Sequence, residues 1–165
     1  MEEKEISKLI EQIENAFANA PYPGDKRVGD DSEVDKFIGK RWQDISPKDL
    51  GTVTYLHFFT KEGIRYYIPA YMTAILEYPE LHFSIREAII RGLAPVDDPD
   101  WKSRNITIHE FFSPEERAVI RIFFESYEEL FPFPDLEQLT PLGKEMTQKD
   151  MKALQVAIEY WQMHT

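Results

Sequence analysis

The stretch Phe59-Thr60-Lys61-Glu62-Gly63-Ile64-Arg65-Tyr66-Tyr67-Ile68-Pro69-Ala70-Tyr71-Met72-Thr73-Ala74-Ile75-Leu76-Glu77-Tyr78 sets the fold class. Thr60 is a helix cap, because its hydroxyl can accept from the first free amides of the helix it precedes. Phe59 before that cap and Ile64 after it can close as a hydrophobic staple. The helix runs through Arg65-Tyr66-Tyr67-Ile68. Pro69 then removes a backbone donor and is expected to kink the helix or split it before Ala70–Tyr78 continues. Pro79 ends it. If the helix persists through Pro69, Tyr67 and Tyr71 share one face, being four residues apart.

Outward from this segment the same grammar repeats. Residues 2–19 place Ile6, Leu9, Ile10, Ile13, Ala16 and Phe17 at helical spacings between polar residues. Tyr22-Pro23-Gly24-Asp25 has the composition of a type II turn, with glycine where positive φ is needed. Ser32 precedes a short helix over Glu33–Ile38 that Gly39 can close, and Trp42 follows in a connecting stretch. Ser46-Pro47 and Ser84 are further helix starts. Ser113-Pro114-Glu115-Glu116 combines cap, proline and capping-box glutamate. The helix it opens, to about Leu130, is apolar nearly all round, as a central buried helix would be. Thr147 with Asp150 is read as opening the last helix, with Met151, Leu154, Ile158 and Trp161 facing the core. Residues 94–105 read as the longest loop.

These segments predict an all-α or mainly α fold, a single domain over residues 1–165 with about six helices. The run Thr52–Phe59 is strand-like in composition but lacks clean alternation, which leaves one short strand pair near 52–59 open. Phe58-Phe59-Thr60-x-Glu62 and Phe111-Phe112-Ser113-x-Glu115 read as two helix starts built alike, not as a repeat.

Composition narrows the function. The chain has 165 residues and no cysteine, which excludes disulfides, thiolate metal sites and a cysteine nucleophile. Acids replace the basic and apolar regions of a signal peptide at the N-terminus, and no run approaches the ~20 apolar residues that cross a bilayer. A cytoplasmic location is expected. The net charge of −11 argues against nucleic acid and anionic membrane as partners and favours a protein partner with a basic surface.

Recognised catalytic spacings fail one by one. His109-Glu110 begins a zinc-protease pattern, but Ser113 stands where the second histidine belongs. Asp31-Ser32-Glu33-Val34-Asp35 alternates oxygens as a calcium loop does, yet Lys36 and Trp42 occupy the positions that need glycine and glutamate. Phosphate-binding glycine patterns and the G-x-S-x-G elbow are missing. No metal and no cofactor are expected. Two constellations remain, Tyr22–Asp25 and Arg65–Tyr71. The candidate binding residues are Tyr22, Asp25, Trp42, Arg65, Tyr66, Tyr67 and Tyr71, since tyrosine and arginine are common anchors. The competing reading of the same tyrosines is core packing with the phenol tips at the surface.

At these residues the chain resembles a family of small uncharacterised bacterial proteins, a domain of unknown function. The resemblance rests on Ala16-Phe17, Tyr22-Pro23-Gly24-Asp25, Trp42, Phe58-Phe59-Thr60-x-Glu62, Arg65-Tyr66-Tyr67-Ile68-Pro69-Ala70-Tyr71 and Phe112-Ser113-Pro114-Glu115, and covers roughly residues 6 to 125. It implies no activity and supplies no catalytic residues. In size and charge such proteins look similar to immunity proteins that neutralise toxins. The expected function is therefore a non-enzymatic protein-binding module, of which an immunity-type inhibitor is one form. The alternative is a small hydrolase-like enzyme using carboxylates with Tyr or His in an aromatic cleft.

Overall fold

Twelve of the seventeen residues of one helix, Lys61–Glu77, are buried, and the remainder of the molecule is arranged around it. The computed structural model describes the backbone of residues 3–53, 55–78, 81–96 and 99–165. Its α-helices are α1 (Glu3–Phe17), α2 (Pro47–Thr52), α3 (Lys61–Glu77), α4 (His82–Leu93), α5 (Pro99–Asn105), α6 (Pro114–Leu130) and α7 (Pro141–Met163). Short 3-10 turns connect several of them. Helical residues make up 75% of the structure, far beyond the roughly 30–35% of an ordinary globular protein. The mainly helical expectation holds.

Helix α3 touches α1, α2 and α4, while α6 packs against α1 and α7, and α7 returns to α4. One apolar core joins all of these, from Leu9, Ile13 and Phe17 on α1 to Leu154, Ala157 and Trp161 on α7. Thr60 caps α3 as read from the sequence, accepting from the Gly63 amide at 3.0 Å. Ser113 caps α6 in a full capping box with Glu116. The two look-alike motifs do the same job: 3-10 turns at Leu56–Phe58 and Ile108–Phe111 feed the two capped helices.

Several expectations need correction. The strand pair near 52–59 does not form among the described residues. Thr52 ends α2, Leu56–Phe58 is a 3-10 turn, and Phe59 makes only an isolated antiparallel bridge with Gly29. Thr54 lies outside the described residues, as does Pro79. Pro69 does not split α3, which is assigned unbroken from Lys61 to Glu77; burial on nearly every side outweighs one missing hydrogen bond. Gly24 has the positive φ of 87° expected of it, but its ψ of 148° is extended, so no type II turn closes there. Asp31, not Ser32, caps the following 3-10 turn. Helix α4 begins at His82, ahead of Ser84. The loop expected over 94–105 contains α5. Thr140, with Pro141 behind it, opens α7 seven residues before Thr147, and Met151 is exposed rather than in the core.

Candidate functional site

The side chains that line a groove of about 680 Å³ come from one face each of α1 and α6. Gln12, Asn15, Ala16 and Asn19 follow one another at helical spacing along α1 and just past its end. Glu115, Ala118, Val119 and Ile122 do the same along α6. Arg65 of α3 and Glu116 of α6 lie at the groove together with the capping Ser113. The lining is thus an apolar strip of Ala16, Ala118, Val119 and Ile122 edged by amides and one carboxylate outside the Arg65–Glu116 pair.

That carboxylate belongs to Glu115. Arg65 and Glu116 hold each other through two bonds, Nε to Oε2 at 2.9 Å and Nη2 to Oε1 at 3.0 Å. Glu116 Oε2 also accepts from the Ser113 amide at 2.7 Å. The pair is formally neutral and its acid is nearly inaccessible, at 2% exposure. Glu115 is fully exposed, and its own backbone amide and then Ser113 hold its carboxyl below the usual range. It remains ionised under all ordinary conditions.

A second, smaller cavity of about 250 Å³ is lined by Pro21, Tyr22, Pro23, Arg27, Glu62, Arg65 and Phe111, and so shares Arg65 with the groove. Tyr22 is half turned to solvent. Its hydroxyl donates to Asp25 Oδ1 at 2.6 Å and accepts from the Gly39 amide at 2.8 Å. Burial, followed by the Asp25 bond, pushes this phenol up. The two prolines and Phe111 give this recess an apolar wall.

The seven residues singled out in the sequence separate into two groups. Tyr22 and Arg65 line these cavities, and Asp25 is bonded to the Tyr22 hydroxyl. Tyr66, Tyr67 and Tyr71 are buried. Tyr66 stacks edge-on to Tyr22, with ring centroids 5.2 Å apart, and supports it from behind. The Tyr67 hydroxyl lies 2.5 Å from the Phe37 carbonyl and 3.0 Å from that of Lys40, and Tyr71 donates to the Val53 carbonyl at 2.8 Å. Burial pushes both phenols far up. Their tips hold the 37–53 connection onto α3 rather than reaching a surface. Trp42 is also buried, beside a separate recess it shares with Glu14 and Glu77.

Ala118, Val119 and Ile122 were not among the candidates. Their signal was present in α6, whose apolar residues encircle the helix more fully than one buried face requires. Read as wholly core, that excess hid a second apolar strip. The structure buries Val119, Ile120, Phe123 and Phe124 and leaves Ala118 and Ile122 half-exposed in the groove.

No group of three or more His, Asp or Glu suited to a metal occurs among the described residues. Among the same residues, no helix is long and apolar enough to cross a membrane. No curated protein and no solved structure matches the chain. A family model does, over residues 5–165, and the chain belongs to that family of unknown function, DUF6714.

Proposed function

We propose that this DUF6714 member works by binding another protein, taking a basic amphipathic segment into the groove between α1 and α6. The observation that carries this reading is the pair of matched helix stripes. Each follows the i, i+3, i+4, i+7 spacing, about 10 Å of helix along α6 and to just past the end of α1, and together they offer the shape into which an amphipathic helix lays its apolar face. Apolar side chains of the partner meet Ala16, Ala118, Val119 and Ile122. A lysine or arginine on its edge meets Glu115, the one carboxylate at the groove that Arg65 does not already neutralise. Gln12, Asn15 and Asn19 supply donors and acceptors along the other rim.

The net charge of −11 adds long-range attraction for a basic partner and raises the rate of encounter. Neutralising a toxin by occupying its surface, the immunity-type role, is one form this binding takes. The hydrolase-like alternative draws less support, because the hydroxyls of Tyr67 and Tyr71 are committed to backbone carbonyls inside the core.

Ala118 is half-exposed and makes no polar contact, so Ala118→Arg obstructs the groove without emptying the core. The wild type and this variant, both checked for helicity, are compared for capture of proteins from lysate of the source organism. A basic protein bound by the wild type and lost from the variant supports the reading. Equal capture by both contradicts it.

A further inference from the structure

His109 and His164 lie ring on ring, with centroids 3.7 Å apart and planes 14° from parallel. His109 stands in the 3-10 turn Ile108–Phe111, and His164 is the residue that ends α7. Tyr160, one turn earlier on α7, ties down the same segment. Its hydroxyl donates to the Ile106 carbonyl at 3.1 Å, accepts from the His109 amide at 3.2 Å and lies 2.6 Å from His109 Nδ1. The hydroxyl has one proton; with that proton directed to the Ile106 carbonyl, the ring contact takes the tautomer that carries its own proton on Nδ1.

That assignment decides what acid does. The next proton goes to Nε2 and leaves the Tyr160 bonds in place. What changes is the charge set against the surroundings. Facing His109 are His164 from α7, Arg117 from α6 and Glu110 from its own turn. Lys61 of α3 reaches the same segment, at Thr107 and over the Phe111 ring. Of the charged groups that act on His109, Glu110 is negative, while Arg117 and a charged His164 are positive. A stack that is favourable when neutral becomes a pair of like charges at van der Waals distance.

We propose that the His109–His164 stack is an acid-operated clasp, holding the last turn of α7 against residues 106–111 when neutral and releasing it when both rings are charged. Burial, and after it His164, already hold His109 below the ordinary histidine range. Trp161 limits how far the release spreads, because it is fully buried and its Nε1 donates to the Leu93 carbonyl at 2.9 Å. Only the end of α7 beyond Trp161 comes free, because the Tyr160 bonds keep the facing turn where it is. The clasp needs nothing from the α1–α6 groove.

The test is an NMR titration of the histidine ring protons from pH 8 to pH 5, with amide-exchange protection measured at both ends, on the wild type and His164→Gln. His164 is only partly buried and lies outside the apolar core, so this variant keeps the core intact. The clasp predicts that His164→Gln raises the His109 midpoint by about half a pH unit or more, the effect of deleting a neighbouring like charge. It also predicts that acid lowers protection of amides 162–165 by about tenfold in the wild type, equivalent to one pKa unit of coupling, and by much less in the variant. An unchanged His109 midpoint, or the same acid response in both proteins, overturns it.

Discussion

Arg65 and Glu116 meet at two points, 2.9 and 3.0 Å apart, and so bind the middle of the molecule, α3, to the first turn of α6. Glu116 serves twice, since the same carboxylate completes the capping box by accepting from the Ser113 amide. Removing it strands a guanidinium that is 27% exposed and uncaps a helix at once. Glu116→Ala is expected to cost about 2–3 kcal/mol, below the range for fully buried pairs because water reaches Arg65. Glu116→Gln keeps shape and cap and should cost about half as much. Urea unfolding midpoints of the two variants check the order.

Tyr71→Phe leaves the buried Val53 carbonyl without its donor and should destabilise the fold by about 1–2 kcal/mol. Tyr67→Phe withdraws a hydroxyl placed between two carbonyls, Phe37 and Lys40, and should cost at least as much. Neither ring leaves the core, so capture of a groove-bound partner should be unchanged once stability is allowed for. Thermal unfolding alongside the capture assay separates the two effects.

Gly63→Ala reverses the usual expectation for a helix. Alanine gains about 1 kcal/mol of helix propensity over glycine. Here the added methyl would lie 2.1 Å from the Val28 carbonyl oxygen, which itself accepts from the Thr60 amide. The backbone has to move and the cap of α3 moves with it. The variant should be less stable by about 2 kcal/mol, an overpacking cost that exceeds the propensity gain. Chemical denaturation against the wild type measures it.

Stability should fall on both sides of neutrality. Burial, and secondarily Arg104, depress the pKa of His57, and burial also leads at His109. A base depressed in the fold binds fewer protons folded than unfolded. Its stabilisation is complete above the unfolded value of 6.5 and is lost as pH drops from there to the folded value. Tyr160 is an acid pushed up to about 12 by burial, so its contribution is complete below its unfolded value of 10.0 and is lost as pH climbs from there towards 12. A plateau from about pH 7 to 9 is expected in melting temperature. His57→Gln should flatten part of the acid limb.

Much of this architecture is written locally in the chain. Thr60 and Ser113 announce their helices because a side-chain oxygen three residues ahead of a free amide acts without help from the rest of the fold. The apolar spacing of α1 is equally local. What depends on distant neighbours was not legible. Pro69 reads as a kink or a break until α1, α2 and α4 surround it, and in the strand-like run Thr52–Phe59 the described Val53 and Phe59 are placed by the Tyr71 bond and the Gly29 bridge. Of the candidate site, Arg65 could be picked by type, but its partner Glu116 is fifty-one residues away and looks like a cap alone. The aromatic run Tyr66–Tyr71 drew notice because its residue types are common at interfaces. The same types fill cores, and only packing decides between the two.

The central claim is that the α1–α6 groove receives a basic amphipathic segment of another protein. Photo-crosslinking measures this at the groove itself. A light-activated phenylalanine analogue is placed at Ala118 or Glu115 on the groove and, as a control, at Leu142 on the exposed first turn of α7. Adducts are formed in lysate of the source organism and the attached peptides are sequenced. The account predicts adducts from positions 118 and 115, few from 142, and an attached peptide in which lysine or arginine alternates with apolar residues at helical spacing. Adducts from 142 in the absence of any from 118 and 115, or groove adducts on acidic or unpatterned peptides, would contradict it.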